Sequence, residues 1–346
     1  MALIGRFLCA VTLVAVSAGM ASAQSAAAFY AGKTVTLVVG STPGGYYDIA
    51  GRTIARHLGQ YIPGKPNLIV QNQPGAAGIA SLNRLGNTAD RDGRTILVMS
   101  RALPQLALVG DPNAAFDPLA LVWLGSLSSY QDDAYLMTIN ARHSAKTLAD
   151  LRRPGTPLYL AGTREGSTNI IFAVLARDML KLNVAVTRGY PGASEIWLAM
   201  ERGEVDGQFV DISAIMVGRP KLWQEGALRP LLAFGRTERH PDLRQVPIAR
   251  ELVSDPADLA LLEFAELPFF MALPLVAPPD IPEDRARALK DAFMTMAMNE
   301  AFRADMKKAG IMTSPIDGAA VHGLIERAAK TPADVRARFG KLLAEK

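Results

Sequence analysis

The chain has 346 residues, with 37 Lys and Arg against 33 Asp and Glu, a formal charge of +4, and one cysteine. That balance, free of basic runs, gives no footing for a nucleic-acid partner. The single Cys9 falls in a segment expected to be removed, which excludes disulfides, thiolate catalysis and cysteine-held metals from the remainder.

Residues 1–23 carry one charge, Arg6, then an apolar run at 7–16 and a small-residue cleavage site at Ala21-Ser22-Ala23. This pattern predicts a secretory signal peptide cleaved before Gln24, because a membrane anchor needs ~20 apolar residues. Cleavage leaves 346 − 23 = 323 residues with a charge of 4 − 1 = +3, enough for two domains. Export to the periplasm fits a chain that relies on a large core instead of disulfides.

The mature chain opens with a β-branched run at residues 34–39, followed by the loop Ser41-Thr42-Pro43-Gly44-Gly45. Tyr46, Tyr47 and Asp48 come next. Ala50, Ile54, Leu58 and Tyr61 then recur at helical spacing. Strand, glycine turn and helix start form a place where unpaired N–H groups and the helix dipole favour an anion. An ordinary tight βα turn is the plain alternative. Residues 67–71 read as a second strand, 79–85 as a helix and 94–100 as a third strand ending in Ser100-Arg101. Three such units predict a parallel, doubly wound α/β sheet. Irregular chain precedes a strand at 120–124.

A second series begins at residues 135–139, with a short helix at 147–151 and a strand at 158–161. That strand runs into Thr163, Arg164, Glu165, Gly166, Ser167 and Thr168, and a helix follows. Ser167 or Thr168 is the expected N-cap, its oxygen taking a first-turn N–H. The device repeats at 184–187, Arg188-Gly189-Tyr190-Pro191-Gly192 and a helix at 193–202. Residues 204–211 form an acidic strand ending at Asp211, and 228–234 a further strand. Helices beginning at Glu283 and covering 300–309 and 319–328 fill the C-terminal third. Residues 267–279, the other long apolar stretch, contain four prolines and cannot span a bilayer.

Two lobes presenting such loops at strand ends predict a ligand cleft between them. Arg101, Arg164 and Arg188 each follow a strand end, where a guanidinium could clamp a carboxylate; solvent exposure is the alternative for each. No G-x-S-x-G, G-x-G-x-x-G or Walker loop occurs, and the four histidines are scattered. Neither a catalytic constellation nor a metal or cofactor site is therefore expected.

These residues resemble the periplasmic solute receptors of tripartite tricarboxylate transporters, the Bug family, over nearly the whole mature chain. Blocks in order carry the likeness: GKTVTLVVGSTPGGYYDIAGRTIARHLG (32–59), VQNQPGAAG (70–78), DRDGRTILVMS (90–100), GTREGST (162–168), RGYPGASEIWLAMERGEVDG (188–207) and PLVAPPDIPEDRARALKDAF (274–293). The resemblance implies a two-lobed type II binding-protein fold, each lobe a mixed, mostly parallel sheet flanked by helices. Lobe one would comprise residues 24–131 and 234–346, and lobe two residues 132–233. It implies a monomeric receptor, not an enzyme, that binds a small organic carboxylate and delivers it to a membrane permease. A sensor input without transport, or less favoured an enzyme on this fold, are the alternatives. The acid would be held mainly by backbone N–H groups of Thr42–Asp48 and Thr163–Thr168, with Asp211 and Ser213 closing the pocket floor. Many members carry small residues where this chain has Tyr46-Tyr47, which implies a narrower or more aromatic pocket. Asp48→Ala or Ser167→Ala is expected to weaken binding while moving the empty protein's melting temperature by only a few degrees.

Overall fold

A computed structural model describes residues 25–163 and 167–344. The expected signal peptide, Arg164 and Gly166 lie outside these residues. The chain starts with α1 (Ala26–Tyr30), β1 (Thr34–Val39), α2 (Tyr46–Leu58), β2 (Asn67–Asn72), α3 (Ile79–Asn87), β3 (Thr95–Val98), α4 (Leu103–Leu108) and β4 (Val122–Ser126). It continues with β5 (Tyr135–Asn140), β6 (Leu158–Ala161), α5 (Thr168–Asp178), β7 (Val184–Thr187), α6 (Ala193–Arg202), β8 (Gly207–Asp211), α7 (Ile212–Gly218), α8 (Pro220–Gln224) and β9 (Leu228–Phe234). The last third holds α9 (Pro256–Glu266), β10 (Pro274–Ala277), α10 (Glu283–Met298), α11 (Glu300–Lys308), β11 (Ile316–Asp317), α12 (Gly318–Ala329) and α13 (Ala333–Ala344). The short helix expected at 147–151 is a single 3-10 turn at Asp150–Arg152, where Asp150 accepts from the N–H groups of Lys146 and Thr147 and tightens the chain.

Two mixed sheets result, in the orders β11-β4-β10-β3-β1-β2 and β7-β6-β8-β5-β9. β2, β1 and β3 are parallel, and so are β7, β6 and β8. Next to these, β10 or β5 runs the other way and the original direction resumes in β4 or β9, with β11 reversed again at the edge of the first sheet. This α/β architecture is the two-lobed binding-protein fold.

Alternation along the strands builds the layers. Leu37 and Val39 of β1 face α2, α10 and α11, whereas Val38 joins Leu97, Trp123 and Val276 beneath α3 and α12. Gly51 lets α2 lie close on this sheet, since a Cβ there would stand 2.6 Å from Val39 Cγ2. In the second sheet Leu158 and Leu160 pack under α5, and Ala161 and Val210 under α6. The segment after β9 serves both halves: β10 and β11 enter the first sheet, while Phe264 of α9 and Phe339 of α13 join the core of the second.

The chain crosses between sheets through residues 127–134 and again after Phe234. Arg236 clasps the two crossings, donating Nη1–H groups to the carbonyl oxygens of Tyr130, Gln131 and Asp133 at 2.5, 3.1 and 2.6 Å. Fully buried Glu266 accepts from Gly235 N–H at 2.9 Å and Arg250 Nε at 2.8 Å. Behind these crossings lies an open hollow of 1160 Å³ against α9 and α12, which none of the sequence-predicted site residues line. Among the described residues no helix is long and apolar enough to cross a membrane.

Candidate functional site

The carboxyl ends of β1, β3, β6, β7 and β8 carry the loops singled out from sequence. Thr42, Pro43, Gly44 and Gly45 form an exposed turn, with Gly44 at φ +84°. Gly45 occupies the N-cap of α2 and, lacking a side chain, leaves that helix start without a side-chain cap. The turn is shaped from inside by Asp48, which is 2% exposed. Asp48 Oδ2 accepts from Gly44 N–H at 2.8 Å and Arg52 Nε at 2.9 Å, and Oδ1 accepts from Asn72 Nδ2 at 2.8 Å. Burial works against the Asp48 carboxylate, but hydrogen bonds from Arg52, Gly44 and Asn72 outweigh it and hold its pKa below the usual value. Both oxygens of Asp48, a residue expected among the ligand contacts, are engaged within its own loop.

Tyr46 and Tyr47 meet edge to face, with ring centroids 5.5 Å apart. Burial, then the neighbouring Asp133 and Asp211, pushes the Tyr46 phenol well above its ordinary range, so it stays a neutral donor. Tyr47 Oη accepts a long hydrogen bond from Arg101 N–H at 3.4 Å. Of the three arginines left open by the sequence, Arg101 reaches across the boundary. It follows Ser100 at the end of β3 and is 6% exposed. Its Nη2 donates to Asp211 Oδ1 at 2.9 Å and its Nη1 to Tyr130 Oη at 3.0 Å. The guanidinium carbon lies 4.3 Å from the Phe269 ring centroid, with Tyr130 and Tyr135 also in cation–π range. Burial disfavours this cation, but Asp211, Tyr47 and Tyr135 more than restore it. Arg101 Nε is buried with no hydrogen-bond partner.

Asp211 stands at the N-cap of α7 but makes no cap bond with its side chain. Asp133, from the first crossing and 2% exposed, supplies the oxygen instead, accepting from Ser213 N–H at 3.3 Å and Ala134 N–H at 2.8 Å. Burial raises the Asp133 pKa. Beyond Ser213, whose Oγ accepts from Met312 N–H at 3.3 Å, α7 leans on the first lobe at Gly310. Gly310 has φ +78°, and a Cβ on it would come within 3.1 Å of Val217 Cγ2.

The second loop is stitched differently. Asn169 Oδ1 accepts from Thr163 N–H at 3.3 Å and from Ser167 Oγ at 2.5 Å. Ser167 is the N-cap residue by position, with Thr168 opening α5, but its hydroxyl makes no cap bond because Asn169 takes it. The neighbouring β7 loop joins on through Gly189 N–H to Thr163 O at 2.6 Å and Tyr190 N–H to Gly162 O at 3.4 Å. Tyr190 is half-buried against the α6 layer. Arg188 Nε is buried without a partner.

The predicted residues thus form two groups. Tyr46, Tyr47, Arg101 and Asp211 come together between the lobes, and Thr163, Ser167, Thr168 and Tyr190 lie at the strand ends of the second sheet. The described residues of the two groups share no hydrogen bond. Sequence reasoning missed Asn72, Tyr130, Asp133 and Asn169. Asn169 directly follows a helix start, a position from which an amide folds back on its loop; the other three had no local signal. With a buried guanidinium, tyrosine hydroxyls and helix starts free of side-chain caps, the arrangement suits a small anion. Among the described residues no cluster of His, Cys, Asp and Glu could hold a metal.

No family model matches the chain. A UPF0065 protein from the gbd 5′ region of Cupriavidus necator is 27% identical over 236 residues, covering 66% of this chain and 67% of the relative. Protein BugT of Bordetella pertussis is 24% identical over 306 residues, 86% of this chain and 88% of the relative. Among solved structures, a Rhodopseudomonas palustris protein with adipate superposes with a TM-score of 0.66 at 18% identity, covering 90% of this chain and 96% of that one. MatC of R. palustris with bound malate gives 0.63 at 20% identity, covering 90% and 99%. Likeness at such identities to the solved structures shows a common fold. The sequence relatives, which span most of its length, support the likeness to the Bug/TctC family.

Proposed function

We propose that this chain is an extracytoplasmic receptor that closes on a small organic carboxylate between its lobes and passes it to a membrane permease of the tripartite tricarboxylate type. The observation that carries this reading is Arg101, a buried cation from lobe one held against Asp211 of lobe two, each just past or at a strand end. Around it, Tyr46 offers a phenolic donor, and α2 and α5 begin without side-chain caps, leaving first-turn N–H groups for a carboxylate. Residues Thr42–Gly45 and Thr163–Thr168 are the loops assigned to the ligand, and Asp211 the residue at the floor. The bound malate and adipate of the two R. palustris structures support a carboxylate as the solute. The signal-peptide pattern of residues 1–23 and the family support the periplasm as the location. A receptor role needs no chemistry on the solute, in keeping with a site of donors without an activated nucleophile.

Thermal shift of the ligand-stripped protein against mono-, di-, tri- and aromatic carboxylates tests the reading. A solute that binds the native state raises the melting temperature by mass action, by about 2.7 kcal/mol of stability at one hundred times its Kd. No shift across the whole panel would sink it. Uptake of the hit in cells with and without the chain separates delivery to a permease from sensing.

A further inference from the structure

We propose that Asp211 is a built-in competitor of the solute: in the empty protein its carboxylate occupies the place on Arg101 that a solute carboxylate takes. The proposal rests on the receptor reading for the identity of the guest. The closure it describes, however, is read without any guest.

The bond joins the two halves of the molecule, since Arg101 follows β3 and Asp211 ends β8. Its two ends differ in access. The Arg101 side chain is 7% exposed under its aromatic cover, whereas that of Asp211 keeps 21%. The acid is therefore the partner open to replacement. The start of α7 does not need Asp211, because Asp133 accepts from Ser213 N–H there. The remaining supports of the guanidinium, Tyr130 Oη and the ring of Phe269, do not depend on Asp211. A fixed cation and a more accessible anion make an exchangeable pair. While it is formed, the lobes are held closed, assisted by the contacts of α7 with Gly310 and Met312.

Two measurements decide the matter, with Asp211→Asn as the first variant and Asp211→Ser as the second in case the amide folds poorly. For the first, single cysteines replace exposed Gln60 and Lys221, one in each lobe of a chain whose only cysteine is Cys9 in the expected leader, and spin-label distances are recorded without solute. The parent should give a closed distribution and both variants a shift to longer distances; identical distributions would overturn the proposal. For the second, malate, adipate and benzoate are titrated calorimetrically. Whichever acid binds should bind the variants about tenfold more tightly, because the competing closed state no longer reduces the competent fraction. Unchanged or weaker binding would make Asp211 a bystander or a direct solute contact, and the competitor idea would fall. If neither these acids nor any other of the thermal-shift panel binds parent or variants, the receptor reading fails, and the distance measurement still rules on the latch.

Discussion

The loops that open α2 and α5 repeat one device, strand, small-residue turn and helix start, but they are fastened by opposite chemistry. The first is drawn together by an ion: Asp48 ties Gly44, Arg52 and Asn72 into one knot. The second is fastened by a neutral amide, Asn169, which collects Thr163 and Ser167. A buried carboxylate with three donors makes a stiff loop whose shape depends on charge. An amide with two weaker partners allows adjustment and is indifferent to pH. The described fastening of the first loop thus depends on a charge, and that of the second does not.

Removing each fastener measures the contrast. The largest effect belongs to Asp48→Ala, which strands Gly44 N–H and the Asn72 amide together and should cost about 2–3 kcal/mol in urea unfolding. The sequence reading expected this substitution to spare stability, and a cost near zero would return Asp48 to the role of a direct solute contact. Acid comes next. Because Asp48 is held below its usual pKa, its contribution is present above the unfolded value of about 3.9 and is lost as pH falls through the native one. Urea midpoints from neutral pH into that acid range should fall more steeply in the parent than in Asp48→Asn, whereas Asn169→Ala should keep the parent's slope. At constant neutral pH, Asn169→Ala should cost about 1 kcal/mol, and a loss equal to that of Asp48→Ala would erase the distinction between the loops. The smallest effect is predicted for Ser167→Ala. A capping serine contributes about 1 kcal/mol, but this hydroxyl serves Asn169 instead, so the change should stay within about 0.5 kcal/mol.

The alternating and helical patterns made much of the fold readable. β1, β6, β7, β9 and α6 begin and end where composition and turns place them, because each is bounded by glycine, proline or a change of period. β10 was concealed. Its residues belong to a proline-interrupted apolar run that the sequence marks only as unfit to cross a membrane, yet Pro274 is tolerated as the strand's first residue. α9 and α13 went unassigned as well, since their apolar residues answer to a core built hundreds of positions earlier. The site divides the same way. Loop positions followed from local chemistry, but the interlobe contact of Arg101 is made by Asp211, 110 residues downstream, and its cover by Tyr130 and Phe269. Neither distance nor partner is written near Arg101. The serine at the start of α5 was located correctly and its bond was not, because a neighbouring amide competed for the same hydroxyl.

The placement of β10 and α13 has a consequence for how the molecule comes into being. The first sheet cannot be completed until Pro274–Ala277 slides between β3 and β4, and the second core stays open until Phe339 arrives beside Phe264. Neither half can finish while the tail is still being made. The last residues of the chain thus complete both cores, which ties the final packing of one half to that of the other.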